Sequence, residues 1–232
     1  MTHIDLISSS RKLFFGCVAI CNDHLRSGHG FQLYREIIDM HRETPDLDKL
    51  LKRDGFIPLV RQTLVAWNMN QRGASLATED EMKRSIERNK LGLTKLCRYK
   101  LHQLNGKVLD NVVNLLELVF VGLKVMRSKR RIVGVSKALH FLLPDLVMPI
   151  DGKYTLEAFY GRNRYSSNLQ KETDDFVYIF RHTFQIAKKL NLTDADVSGS
   201  QWNTSIPKLI DNAIIGLIKF RDKELTRQSE ES

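Results

Sequence analysis

Two ionisable residues flank a proline-broken apolar stretch, Lys137 and Asp151 in VGVSKALHFLLPDLVMPIDGKYTLEAF (133–159). An amine in the first turn of a helix can attack an electrophilic carbon once it has shed its proton, and burial favours the free base. A carboxylate aimed into the same cleft offsets positive charge that develops in a transition state, and it can shuttle a proton. The same residues also read as punctuation. Pro144 stops one helix, and Asp151 caps the next, over 153–160. The spacing leaves both readings open.

Just upstream, KVMRSKRR (124–131) carries Lys124, Arg127, Lys129, Arg130 and Arg131 and no acid. Cations at the end of an apolar helix, expected here over 107–126, complement the negative end of its dipole. Five exceed what a cap needs and suit contacts to phosphate. Across 124–164 nine Lys and Arg stand against Asp145, Asp151 and Glu157, so this stretch holds more than half of the net charge of +9. Only clustered charge makes an electrostatic footprint. IVGVSK (132–137) then opens a second helix to about Leu143. The result is a helix–turn–helix hairpin whose glycine and helix-start amides could approach a phosphate.

This order of parts resembles the second half of the helix-hairpin-helix DNA glycosylase superfamily, over roughly residues 107–160. The resemblance implies that Gly134 is a hairpin glycine, with Ser136 standing where the family usually has a second one. It implies Lys137 as amine nucleophile. Asp151, in Met148-Pro149-Ile150-Asp151, would be the carboxylate that stabilises an oxocarbenium-like sugar. DNA is the implied partner, gripped along its backbone by the hairpin cations and by Lys153. The implied reaction is cleavage of the N-glycosidic bond of a damaged base, with or without a lyase step. Such chemistry takes the base out of the stack, and Trp67, Tyr154 and His140 are the candidate pocket residues. Trp67 and His140 also read as ordinary packed residues. The alternative function is a non-catalytic helical module that binds nucleic acid or a protein partner through its basic face. A third is an interaction protein with no nucleic-acid role.

The composition agrees with a polyanionic partner, with 36 basic against 27 acidic residues. Cys17, Cys21 and Cys97 are too few for a disulfide framework or an iron–sulfur cluster, and they point to a reducing cytoplasm. The longest apolar run, VVNLLELVFVGL (112–123), is broken by Asn114 and Glu117, so no membrane span is expected. No P-loop, G-x-S-x-G or dinucleotide fingerprint occurs, and the histidines lack paired metal-ligand spacing. The sequence therefore implies neither cofactor nor metal. Pro144-Asp145 with Asp151-Gly-Lys153 imitates a metal-nuclease motif, but that chemistry needs its carboxylates on adjacent strands.

The elements that must position these groups are helical. Apolar residues recur at three and four, and period-two alternation is absent. Phe176, Ile179, Phe180, Thr183, Phe184, Ala187 and Leu190 make one core-facing stripe. Thr78 and Glu81 spell a capping box ahead of a helix to about Leu104, whose Lys83, Arg84, Glu87, Arg88 and Lys90 read as a solvated face. Ser205 and Pro207 open a last helix with Leu209, Ala213, Ile214, Leu217 and Ile218 as its stripe. The expectation is an all-α, bundle-like single domain over 1–232. Its possible lobes are 1–75 with the C-terminal helices, and 78–165 with the hairpin.

Overall fold

The computed structural model describes residues 3–25, 28–71, 73–161, 166–198 and 202–230, the side chains of 223–230 excepted. Among these, eleven α-helices follow one another. They are α1 (His3–Ile7), α2 (Arg11–His24), α3 (His29–Glu43), α4 (Leu47–Lys52), α5 (Phe56–Ala66), α6 (Glu79–Leu96), α7 (Gly106–Gly122), α8 (Ile132–Leu142), α9 (Thr155–Tyr160), α10 (Leu169–Lys189) and α11 (Ile206–Glu230). No described residue belongs to a strand, and the only extended pairing is a single bridge between Leu76 and Met126. The all-α expectation holds.

The local signals explain most helix ends. Thr78 and Glu81 form the capping box of α6, the Asn105 side chain accepts from the first amides of α7, and Gly161 ends α9 in the left-handed region at φ 70°. Pro207 takes the second position of α11, where a missing N–H costs nothing, and Ser205 Oγ accepts from Lys208 N at 3.3 Å. The phenylalanine stripe faces the core on α10, with Phe120 of α7 stacked on Phe176 at 4.6 Å. Ser198-Gly199-Ser200 reads in sequence as a break between helices, and Gly199 and Ser200 lie outside the described residues.

Two helices stop earlier than their apolar pattern suggests. α6 ends at Leu96, not near Leu104, because the chain turns so that Leu101 N can donate to Asp145 O at 2.9 Å. α7 ends at Gly122, not at 126. Residues 124–127 leave the helix and find other partners for their backbone groups. Lys124 N donates to Ser85 Oγ at 2.6 Å, Ala77 N to Val125 O at 3.0 Å and Arg127 N to Ser75 O at 2.8 Å. The hairpin therefore has a nine-residue extended link, 123–131, where a tight turn was expected.

Every helix contributes to one contiguous cluster of buried apolar side chains. α2 and α11 share the most extensive contact among the described helices, and α11 also touches α1 and α9, so the first and last helices meet. α8 is almost wholly buried, with Val135, Ala138, Leu139, Phe141 and Leu142 all but inaccessible. A helix apolar all round belongs in the interior. Any polar group it carries needs a specific partner.

Candidate functional site

Lys137 is such a group. Only 8% of its side chain is exposed, and its Nζ lies 3.4 Å from Asp151 Oδ2, whose side chain is 33% exposed. The ammonium also sits over the Trp67 ring, 5.5 Å from its centroid. Trp67 ends α5 and is held by its own Nε1 donating to Gly30 O at 3.2 Å. The carboxylate is thus the open side of the pair, and the amine lies behind it against an aromatic face.

Asp151 is not the cap of α9, which starts at Thr155 behind Tyr154, but shapes the turn before it and also faces the amine. Its Oδ1 accepts from Lys153 N at 2.8 Å and Tyr154 N at 3.3 Å, closing the turn ahead of α9, while Oδ2 faces Lys137. Its own amide donates to Thr155 Oγ1 at 2.9 Å. Its carbonyl accepts from Leu156 N at 3.1 Å, so four of its five hydrogen-bonding partners lie in the turn and first residues that follow it. That turn fixes the carboxylate without using the oxygen that meets the amine.

Close to this pair lies a second one, on α11, outside the stretch that carries Lys137 and Asp151. Lys208 Nζ is 2.5 Å from Asp211 Oδ2 and 2.7 Å from Asn212 Oδ1, all on α11 and all buried. Lys208 Nζ lies over Trp202, 5.2 Å from its ring centroid, and Trp202 is 6.0 Å from Trp67. Burial pushes the Asp211 carboxyl up and Lys208 opposes the shift; Asp151 and Lys137 are close enough to act on it as well. Two Lys–Asp pairs and two tryptophans therefore share one electrostatic neighbourhood. Such clusters concentrate at functional sites.

His140 bonds to Val147 and Tyr34 and not to Lys137 or Asp151. It is fully buried, with Nδ1 2.7 Å from Val147 O and Nε2 2.9 Å from the Tyr34 hydroxyl. The carbonyl requires the proton on Nδ1, so Nε2 accepts from Tyr34. Desolvation pushes its pKa down to about 3, from 6.5. It is a packed core histidine, not part of a base pocket. The unfolded chain takes up a proton near pH 6.5 that the folded ring refuses. Stability is therefore complete above that pH and falls by about 1.4 kcal/mol per unit below it, down to the folded value. His41, also pushed down by burial, adds to the slope. Urea midpoints measured between pH 7.5 and 4.5 are expected to fall steeply, and His140→Gln to remove one proton's share of the slope. An unchanged slope would show that the ring charges in the folded protein.

The expected phosphate cradle at the start of α8 is already occupied. Glu172 of α10 accepts from Arg131 N at 2.8 Å and Ile132 N at 3.1 Å through the same oxygen. A buried carboxylate thus takes the helix-start amides that an incoming phosphate would use. Gly134 is buried because Met126 packs where its Cβ would stand. Ser136 is buried too, donating to Val133 O at 3.0 Å and accepting from Ile150 N at 3.1 Å. Neither contacts solvent. Arg131 folds back, donating Nη2 to Leu123 O at 2.6 Å and more weakly to two other α7 carbonyls. It is the cap of α7, not a phosphate contact.

The remaining cations are surface groups. Lys124, Arg127, Lys129, Arg130 and Lys153 are exposed, and Arg127 Nη2 pairs with Glu81 at 2.8 Å. Arg162 and Arg164 lie outside the described residues. Tyr154 is half-buried between Lys153 and Lys219, each 5.5 Å from its ring centroid, and its amide is bonded to Asp151. Lys137, Asp151 and Trp67 thus come together, with Tyr154 joined to them through its amide, whereas Gly134, Ser136, Arg131 and His140 make other contacts. Among the described residues no cluster of His, Cys, Asp or Glu could hold a metal ion, and no helix is long and apolar enough to cross a membrane.

No family model matches the chain, and no curated protein or solved structure does so either.

Proposed function

We propose that the chain is a DNA-processing enzyme that cleaves an N-glycosidic bond, with Lys137 as nucleophile and Asp151 as the carboxylate beside it. The observation that carries this reading is the 3.4 Å approach of Lys137 Nζ to the partly exposed Asp151 Oδ2, with the amine against Trp67. Lys137 passes its ammonium proton to the departing base, which leaves with the bonding pair as the C1′–N bond breaks, and the amine so formed adds to C1′. Asp151 offsets the positive charge on the sugar and accepts the proton that the amine loses. Ring opening, with protonation of the ring oxygen, then leaves an imine between Lys137 and C1′. Trp67 and Tyr154 supply aromatic faces for the displaced base. The exposed cations Lys124, Lys129, Arg130 and Lys153 supply backbone contacts.

The depth of Lys137 favours a second reading, a non-catalytic helical module that binds nucleic acid or a protein partner through its basic face. An amine with 8% exposure must be uncovered before it meets a sugar carbon. Borohydride trapping on duplexes with abasic sites or damaged bases separates the two. Wild type is expected to give a covalent adduct, and Lys137→Ala and Lys137→Gln none. Asp151→Asn, which still caps the turn, is expected to slow base release about 100-fold or more. Absence of both adduct and base release from wild type on every duplex would leave the binding module.

A further inference from the structure

We propose that the groove between α6 and the link 123–131 is a phosphate site that holds the sugar–phosphate backbone of nucleic acid. Arg84 and Arg88 line one wall, Lys124 and Arg127 the other, and Met126 forms part of the floor of a cleft of about 310 Å³. That volume is at the lower end of ligand-sized clefts. Lys124 and Arg127 belong to the basic run, but Arg84 and Arg88 come from a helix face that reads in sequence as merely solvated.

The charges do not balance within the protein. Glu81 is the one carboxylate in the groove among the described residues. It is already used, accepting from Thr78 N at 2.8 Å and pairing with Arg127. Those bonds hold its carboxyl below the usual range, with the Thr78 amide contributing most. Glu87, on the same helix, pairs with Lys90 at 3.6 Å. Among the described residues no carboxylate forms an ion pair with Arg84, Arg88 or Lys124. Arg84 and Arg88 stand one helical turn apart, where like charges repel. A third cation faces them across the cleft. A phosphodiester supplies the missing negative charge, and its oxygens match guanidinium donors in pairs.

The walls are fixed before any ligand arrives. Ser85 Oγ, from the turn between Arg84 and Arg88, accepts from Lys124 N, and the 75–77 backbone pairs with 125–127. The backbone that carries the cations is thus preorganised, and binding has only their side chains left to order. Met126 of the groove packs on Gly134 of α8, the helix that also carries Lys137. The inference rests on the nucleic-acid part of the proposed function and not on its catalysis.

The test is fluorescence anisotropy of labelled duplex and single-stranded DNA across a salt series. Arg84→Gln with Arg88→Gln is expected to weaken duplex binding alike for unrelated sequences and to reduce the slope of log affinity against log salt by about 1.8, since each phosphate left unneutralised takes away about 0.9. Lys124→Gln is expected to reduce it by about half as much, and unchanged melting temperatures would show that the variants are folded. Unchanged affinity and slope in all of them would overturn the proposal. So would displacement of the duplex by millimolar inorganic phosphate at matched ionic strength, which would make the site one for a small anion. Lys137→Gln is expected to bind like wild type, so loss of adduct with binding retained removes catalysis and leaves the groove. Adduct formation that survives the arginine changes at unaltered affinity removes the groove and leaves catalysis.

Discussion

Gly216→Ala is expected to lower the stability of the protein by about 3 kcal/mol or more, whereas Gly16→Ala, on the partner helix, is expected to raise it. Both glycines lie inside helices, where alanine is intrinsically favoured by about 1 kcal/mol. Only their surroundings differ. A Cβ on Gly216 would run into the backbone carbonyl of Cys17, and a backbone atom cannot rotate away as a side chain can. A Cβ on exposed Gly16 meets nothing within 4 Å. The glycine lets α11 lie against the α2 backbone along the most extensive helix contact among the described residues. Alanine must push the pair apart, and the buried side chains of Cys17, Val18, Ile214 and Ile218 then pack less tightly. For a chain of this length the effect corresponds to roughly 6–12 °C in Tm. Thermal melts of the two variants check the opposite signs, and a gain in Gly216→Ala would mean that the helices do not pack as described.

The seam has a bearing on the site. α11 brings Lys208, Asp211 and Asn212 to it, and α2 brings Asn22, whose Nδ2 donates to Asn203 Oδ1 at 3.3 Å. A seam that opens shifts these groups relative to Asp151. Stability and site geometry are therefore coupled along one helix pair.

What is legible in the sequence is local. Helix type follows from three-and-four periodicity, and the capping box at Thr78 from two residues three apart. Lys137 and Asp151 are legible as a pair because one proline-broken segment carries both. The phosphate cradle expected at the start of α8 fails because its occupant, Glu172, lies about 40 residues along the chain on α10. No local pattern reveals such a partner. Ser136 and Gly134 fail as phosphate contacts for a related reason. In a helix apolar on every side, a small residue serves close packing, and α8 reads as one-sided until its burial is known. The last helix does carry a signal for its buried pair. In IPKLIDNAIIGLI the apolar residues wrap most of the circumference and leave Lys208, Asp211 and Asn212 as one strip at i, i+3 and i+4. A helix so apolar is buried all round, so its polar strip is buried with it.

That strip carries the second large prediction. Lys208→Met is expected to destabilise the protein by about 3–5 kcal/mol, because Asp211 is left in the interior without a counter-ion. Burial already pushes that carboxyl up against the pull of Lys208, so without the lysine it takes a proton and stays neutral. Asn212 also loses the ammonium donor at its Oδ1, 2.7 Å away. Lys208→Met with Asp211→Leu is expected to recover most of the loss, since two well-packed apolar groups avoid the cost of desolvating two charges. Urea unfolding of the two single variants and the double one gives the coupling energy, and additive effects would show that the two groups do not interact. Recovery would have a consequence for function. If an apolar pair supports the fold as well as Lys208 and Asp211 do, stability does not account for them. Their distinctive property is then their position, an ion pair under Trp202 whose field reaches Lys137 and Asp151.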